Sequence, residues 1–309
     1  MSCLLRFLNQ LFQSLFLPYS RRPDGQLIKP VCQVFSQGPL FQKVLCRKET
    51  RGGKRSTKES IKMTLDAELY NTLPIPVDNV KLFFKNTLPE LGFGKNNEKE
   101  IVLDVGCGPG GSTYHLVLPL FRCLKLFAVD MLPNMIEMAR KHNSHHKIEY
   151  RVANIEDWST VKEWEDQITK VVSIYCFHWL TDIRKGFYNV HRLLKTDGEA
   201  AICFGVNSYI PYDQFKICSS PYYIGMLEEI GFEILYCKEE VKYETFSSDE
   251  EYKNFFASIS TVKSHIPVDQ REEFKNELFD EMLKLEGRHK NGLPRHRGRF
   301  LELVIKKNE

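Results

Sequence analysis

The sequence predicts an α/β protein with one seven-stranded, mostly parallel sheet and helices on both faces. Three observations predict it. From Met63 onward, short apolar runs alternate with amphipathic segments, the mark of repeated strand–helix–strand units. Two of the runs, Ile101–Val105 and Val171–Cys176, are apolar almost throughout, as strands covered on both faces must be. The first of them ends in a glycine cluster that opens a helix.

The elements follow in order. Strand Ile101–Val105 leads to a helix over Ser112–Leu120. Strand Lys125–Val129 leads to a helix from Pro133 to His142, and strand Lys147–Ala153 follows. After strand Val171–Cys176 comes a helix from Asp182 to Lys195. Thr196-Asp197-Gly198 reads as a turn before strand Glu199–Phe204. The helix over Tyr222–Ile230 stops at Gly231, which supplies the left-handed residue that ends helices. Strand Phe232–Lys238, a helix from Pro267 to Leu285 and strand Phe300–Lys306 complete the pattern. No internal repeat is visible.

Composition narrows the class. The 309 residues are 42% apolar and 12% aromatic, enough for a sizeable core and too much for a disordered chain. No apolar run reaches the 18 residues that a spanning helix needs, so stable membrane insertion is not expected. The nine cysteines form no Cys-x-x-Cys pair. They read as reduced, mostly buried thiols of a cytoplasmic protein, with neither a disulfide framework nor a zinc site. His142, His145 and His146 lack a carboxylate or cysteine at ligand spacing and read as an exposed loop, so no metal is expected.

Charge divides the chain at residue 62. Residues 1–62 hold twelve Lys/Arg against three acids, or +9, and residues 63–309 hold 31 bases against 37 acids, or −6. The basic part reads as an N-terminal extension, and residues 63–309 as the folded domain. The extension opens with apolar residues at helical spacing and few acids. Three readings stand: a disordered addition to a cytoplasmic protein, an amphipathic mitochondrial presequence, or a membrane-surface helix. The acidic balance of the domain gives no footprint for nucleic acid.

The glycine loop Asp104-Val-Gly106-Cys107-Gly108-Pro-Gly110-Gly111 carries the chemistry. Its glycines allow a tight turn and a close ligand, and the helix behind it offers free N–H groups. Gly106, Gly108 and Gly111 match the dinucleotide fingerprint G-x-G-x-x-G. Asp104 tilts the reading away from a pyrophosphate, which a carboxylate would repel. It suits a phosphate-free ligand with a positive amino group, and S-adenosyl-L-methionine is one. Asp130 ends the second strand, where a carboxylate can accept both ribose hydroxyls; that serves NAD equally well. Met131 follows it. Asn154-Ile155 follows the third strand, where a side-chain amide can meet the adenine amino group. After the fourth strand comes Tyr175-Cys-Phe-His178-Trp179. This aromatic segment lacks the Pro-Pro-Tyr element that grips a flipped base, and it points to a small, greasy acceptor.

These residues resemble the juvenile hormone acid O-methyltransferases of arthropods, within the class I methyltransferases. Val102-Leu-Asp-Val-Gly-Cys-Gly-Pro-Gly110 is similar to their cofactor loop, and Met135-Ile-Glu-Met-Ala139-Arg to their next helix. Tyr175-Cys-Phe-His-Trp179, with Asn189-Val-His-Arg-Leu-Leu194 after it, is the most specific part. The resemblance covers residues 63–306. It implies a Rossmann-like sheet whose last strand is antiparallel. It also implies methyl transfer from S-adenosyl-L-methionine to the carboxylate of a small lipophilic acid such as farnesoic acid. Trp179 matches the tryptophan that helps hold that carboxylate. His178 is a candidate hydrogen-bond donor, and Tyr175 meets the methionine portion through its backbone.

The chain departs from the family in two places. The family's N-terminal glutamine has no counterpart in Tyr70-Asn71-Thr-Leu-Pro74-Ile-Pro76-Val-Asp78, where Tyr70 is the candidate to meet the carboxylate. The segment Gly205–Tyr223 is shorter than the family's aromatic cover over the lipid chain. Two other readings are consistent with these departures: a cofactor-binding, methyltransferase-like protein with impaired or no turnover, and a methyltransferase for another small-molecule oxygen or nitrogen acceptor.

Overall fold

The computed structural model describes residues 65–74, 78, 80–94, 100–121, 125–206, 219–260, 263 and 266–308. The expectations for residues 1–62 lie outside the described residues. Helix α1 (Ala67–Asn71) comes first, and a π-helical turn, Phe83–Thr87, runs into α2 (Leu88–Glu90). Strand β1 (Ile101–Val105) is followed by a second π-helical turn, Thr113–Val117, and α3 (Leu118–Leu120). Then come β2 (Lys125–Asp130), α4 (Pro133–His142), β3 (Ile148–Val152), β4 (Ile168–Ile174), α5 (Ile183–Leu193) and β5 (Leu194–Gly205). The chain continues through α6 (Ser220–Ile230), β6 (Phe232–Thr245), α7 (Asp249–Ser258), α8 (Arg271–Glu286) and β7 (Arg295–Lys307).

The seven strands form one sheet in the order β3-β2-β1-β4-β5-β7-β6. Strands β3, β2, β1, β4 and β5 pair in parallel. Strand β7 runs antiparallel to β5, from Glu199 opposite Lys306 to Gly205 opposite Phe300. The expected sheet is therefore the observed one, antiparallel last strand included. The strand order reverses between β1 and β4, which opens a crevice beyond their carboxyl ends, where such sheets bind ligands.

The described residues divide into two compact units. The larger holds those of 71–206, 218–242 and 298–309, and the smaller those of 65–70 and 243–297. In the larger unit, one sheet face buries Val102, Leu126, Val172, Ala201, Cys203 and Val304 beneath Phe83, Phe84, Leu88 and Leu116. Elsewhere Ile136 and Ala139 of α4 cover Ala128 and Tyr150, and Phe187 of α5 lies 4.6 Å from Phe177. Each Val, Leu, Ile or Phe among them contributes about 1.5–3 kcal/mol when fully buried. Helix α5 starts where the Asp182 carboxylate accepts the Lys185 amide at 2.9 Å, and α6 ends at Gly231 with φ +109°. The smaller unit has its own aromatic core. Tyr252 is fully buried there, 4.7 Å from both Phe246 and Phe256 and 5.7 Å from Phe279.

Several boundaries differ from the sequence expectation; β7, for one, begins at Arg295 rather than Phe300, and α8 at Arg271 rather than Pro267. Thr196-Asp197-Gly198 lies inside β5 rather than before it. Leu194 already pairs with Ile168, and pairing shifts register before resuming at Lys170 opposite Glu199; Asp197 has φ +64° within this irregularity. Strand β6 continues past Lys238 to Thr245, because an edge strand tolerates alternating charges on its solvent side. Strand β4 stops at Ile174, and Tyr175, at φ +54°, turns the chain out of the sheet.

Candidate functional site

The loop after β1 is held to β2 by backbone bonds. The amides of Gly106 and Cys107 both donate to the Val129 carbonyl, at 2.8 and 2.9 Å. Gly106 has φ +76°, and a β-carbon there would fall 2.3 Å from the Cys176 sulfur. At Gly110, φ +84°, a β-carbon would meet the Tyr150 hydroxyl at 2.7 Å. Both sites exclude any side chain. Asn143 Nδ2 donates to the Pro109 carbonyl at 2.7 Å, and Tyr150 Oη donates to the Asn143 carbonyl at 2.8 Å. The loop therefore rests on α4 and β3 as well as β2.

Asp130 joins loop and strand. Its Oδ2 accepts the Gly108 amide at 3.0 Å, and its Oδ1 accepts the Leu132 amide at 2.9 Å. Each oxygen retains a lone pair for a ligand hydroxyl. Burial raises its pKa, against these two amide bonds. Asp104 is 2% exposed, and Thr113 Oγ1 donates to its Oδ2 at 2.6 Å. Burial pushes its pKa up to about 7, with the Thr113 bond opposing and the Asp130 charge adding to the rise. The Cys107 thiol is pushed far up by burial, and further by the two carboxylates. It stays protonated and packs.

Met131, beside Asp130, is 47% exposed, an apolar surface at the edge of the crevice. Asn154 Oδ1 accepts the Glu156 amide at 2.9 Å, which closes an Asx turn after β3. Ile155 is buried, and its carbonyl accepts Asn189 Nδ2 at 2.7 Å. Two carboxylates beside a strained glycine turn repel a pyrophosphate. They fit S-adenosyl-L-methionine, whose ammonium and sulfonium are cationic and whose ribose offers two hydroxyls.

Past β4 the chain makes a tight turn. The Tyr175 amide donates to the Cys203 carbonyl at 2.8 Å, and Phe177–Trp179 forms one 3₁₀ turn closed by the Trp179 amide on the Cys176 carbonyl at 2.8 Å. The His178 ring lies 5.4 Å from Trp179 and 6.4 Å from Tyr175, and Tyr175 lies 5.4 Å from Phe300. The Gly205 amide donates to His178 Nδ1 at 3.4 Å. Burial lowers the His178 pKa to about 4. The ring is neutral at pH 7, and with Nδ1 accepting, its proton sits on Nε2.

The sheet thus gathers Asp104, Gly106, Cys107, Gly108, Gly110, Asp130, Met131, Asn154, Ile155, Tyr175, His178 and Trp179 at the carboxyl ends of β1 to β4. Tyr70 belongs to the smaller unit, in α1, where its amide donates to the Asp66 carbonyl at 2.9 Å. Residues 207–218 of the short segment, and 75–77 of the stretch after Tyr70, lie outside the described residues. Sequence reasoning missed Thr113, Asn143, Tyr150 and Asn189, which hold the site from behind. Among the described residues no three His, Cys, Asp or Glu side chains are grouped to hold a metal ion, and no helix is long and apolar enough to cross a membrane.

Comparison with known proteins agrees with the fold. Residues 102–198 match a family model described as a methyltransferase domain. The chain is 28% identical over 214 residues to a malonyl-[acyl-carrier protein] O-methyltransferase of Paenibacillus sp. (strain JDR-2), covering 62% of this chain and 76% of that one. It is 25% identical over 188 residues to the juvenile hormone acid O-methyltransferase of Drosophila melanogaster, covering 60% of this chain and 54% of that one. A solved structure of a putative sarcosine dimethylglycine methyltransferase from Galdieria sulphuraria superposes with a TM-score of 0.52. It is 16% identical and covers 78% of this chain and 96% of that one. That similarity concerns the fold alone.

Proposed function

We propose that this chain, a class I S-adenosyl-L-methionine-dependent methyltransferase, methylates the carboxylate of a small lipophilic acid. The observation that carries the proposal is His178. It is a neutral ring, fixed by the Gly205 amide and set between the aromatic rings of Tyr175 and Trp179. Aromatic walls whose donors are all uncharged suit an acceptor that arrives already deprotonated. A carboxylic acid, with a pKa of about 4–5, does so at pH 7 and needs no general base. The relatives named for malonyl-[acyl-carrier protein] and for juvenile hormone acid support an acid as acceptor.

The cofactor, when bound, supplies an electrophilic methyl group. The chain's own residues bind, orient and desolvate. Asp130 holds the ribose and Met131 covers the adenine, with Asn154 at its amino group. The glycine loop takes the amino-acid end above the Asp104–Thr113 pair. His178 Nε2–H holds one carboxylate oxygen, and Trp179 shields the other from water. Fixing the attacking oxygen in line and dry accounts for the catalysis. The cytoplasm is the compartment we assign, consistent with unbonded Cys107, Cys176, Cys203 and Cys237.

The test is methyl ester formation from farnesoic and fatty acids by wild type and Trp179→Ala, beside calorimetric titration with S-adenosyl-L-methionine. The expected result is ester formation that Trp179→Ala reduces at least about tenfold while cofactor affinity is retained. Cofactor binding without ester from any acid would favour the non-catalytic reading. Equal activity in the variant would remove Trp179 from the acceptor site.

A further inference from the structure

One sheet face of the larger unit is apolar along its middle and carries a Lys–Glu pair toward each end, Lys170–Glu199 at the start of the β4–β5 pairing and Lys242–Glu302 nearer the reacting edge. Along β7 it carries Val304, then Glu302, then Phe300; along β5 it carries Ala201 and Cys203. Glu302 is 5% exposed, opposite Cys203 in the β5–β7 register. Lys242 Nζ of β6 donates to Glu302 Oε1 at 2.5 Å, and the lysine side chain is only 23% exposed. Cys203 senses both charges: burial and Glu302 push its thiol up to about 12, with Lys242 opposing.

Burying this pair is expensive, because desolvation consumes most of what the attraction returns. Aliphatic residues would serve the core as well or better. Unlike Lys170–Glu199, this pair lies near the strand end that carries the turn after β4. Its neighbours define its role. Cys203, which faces Glu302, accepts the Tyr175 amide at its carbonyl, so the pair shares a strand end with the turn that carries His178 and Trp179. Glu302 on β7 lies two strand spacings from β4, or about 10 Å, and Lys242 on β6 three, or about 14 Å. Aromatic rings flank this stretch: Tyr175 against Phe300 at 5.4 Å, and Tyr236 stacked on Phe83 at 6.3 Å. One Lys242 N–H is used by Glu302, and an ammonium has three.

We propose that Lys242, positioned by Glu302, binds a second polar group at the far end of the acceptor. The preferred substrate class is then a medium-length lipophilic acid with a distal hydroxyl or carbonyl oxygen. This rests on the carboxylate-methylation reading for the near end, and the experiment separates the two.

Decanoic acid and ω-hydroxydecanoic acid would be compared in two ways: by calorimetric binding to the full chain loaded with S-adenosylhomocysteine, and by kcat/KM for ester formation. Wild type is expected to prefer the hydroxy acid about 10- to 100-fold, the range of one hydrogen bond to a charged group. Lys242→Met should bring the ratio close to one, chiefly through KM. Because a lone buried Glu302 threatens folding, the double variant Lys242→Met/Glu302→Leu replaces the pair by apolar groups, a change that folds tolerate. It too should lose the preference. A wild type that esterifies both acids equally, or a double variant that keeps the preference, overturns the proposal and leaves carboxylate methylation standing. Preferential binding without ester formation supports the Lys242 site and overturns carboxylate methylation.

Discussion

Gly106 faces Cys176 so closely that a β-carbon on the glycine would lie 2.3 Å from both the β-carbon and the sulfur of Cys176. The cofactor loop and the turn after β4 are therefore packed against each other as one surface. Gly106→Ala adds a left-handed alanine, about 1–2 kcal/mol, to a clash that must be relieved by moving one of the two turns. It should destabilise the chain by about 2 kcal/mol or more and weaken cofactor binding. Thermal unfolding and calorimetry measure both. Gly106→Ala/Cys176→Gly removes the clash and leaves the backbone strain, so it should regain part of the loss. A double variant no better than the single one would show that contact with Cys176 is not what excludes the side chain.

Asp130 ties the glycine loop to β2 and is proposed to hold the ribose, and one substitution probes both. Asn at 130 keeps one carbonyl oxygen for an amide of Gly108 or Leu132 and forfeits the other bond. Cofactor affinity should fall about tenfold or more, since a hydrogen bond from a hydroxyl to a charged group is worth about 1.5–3 kcal/mol. The Asp104 carboxyl should titrate lower in the same variant, because the Asp130 charge is one of the groups that raise it. NMR of the Asp104 side-chain carboxyl reads that shift. An unmoved Asp104 would mean that the two carboxylates do not sense each other.

Much of this was legible before any coordinates, for identifiable reasons. The strands announce themselves because burial on both faces demands continuous apolar runs, and the cofactor loop because only glycine fits φ values such as +76° at Gly106 and +84° at Gly110. Asp130 stands out in the sequence because it ends the second strand, and the structure places it there, beside the glycine loop. The supports were not legible. Asn143 reaches Pro109 across 34 residues, and Thr113 meets Asp104 only because a π-helical turn carries it there. No periodicity encodes such tertiary meetings. Lys242 and Glu302, 60 residues apart, meet only because β7 inserts between β5 and β6.

Helix α7 was missed, although its start is written in the sequence. Ser248 Oγ accepts the Glu251 amide at 3.1 Å, and Glu251 Oε2 reaches back to the Ser247 amide at 2.6 Å. This is a capping box displaced by one residue at its return bond. Ser248→Ala should cost about 1 kcal/mol, read as a lower unfolding midpoint in denaturant. Ser248→Asp, which keeps an acceptor at the cap, should restore it. Equal stability of all three would mean that packing around Tyr252 alone holds the helix.

His178 gives a pH prediction with a definite sign. Its folded pKa, about 4, lies below the ordinary 6.5 because burial penalises the imidazolium. The unfolded chain therefore binds the extra proton first as pH falls. The stability that depends on a neutral ring is complete above about pH 6.5 and is lost as pH falls from there toward 4. Against His178→Gln, which cannot titrate, wild type should lose stability over that window and hold a constant difference above it. In catalysis the ring stays neutral down to about pH 5, so kcat/KM should show no limb near 6.5 belonging to this residue. Glutamine keeps an N–H donor and should retain much of the activity, whereas His178→Phe should lose it through a higher KM for the acid. A limb near 6.5 that disappears in His178→Gln would show a ring that gains its charge in the working range, and the neutral-donor role would be wrong.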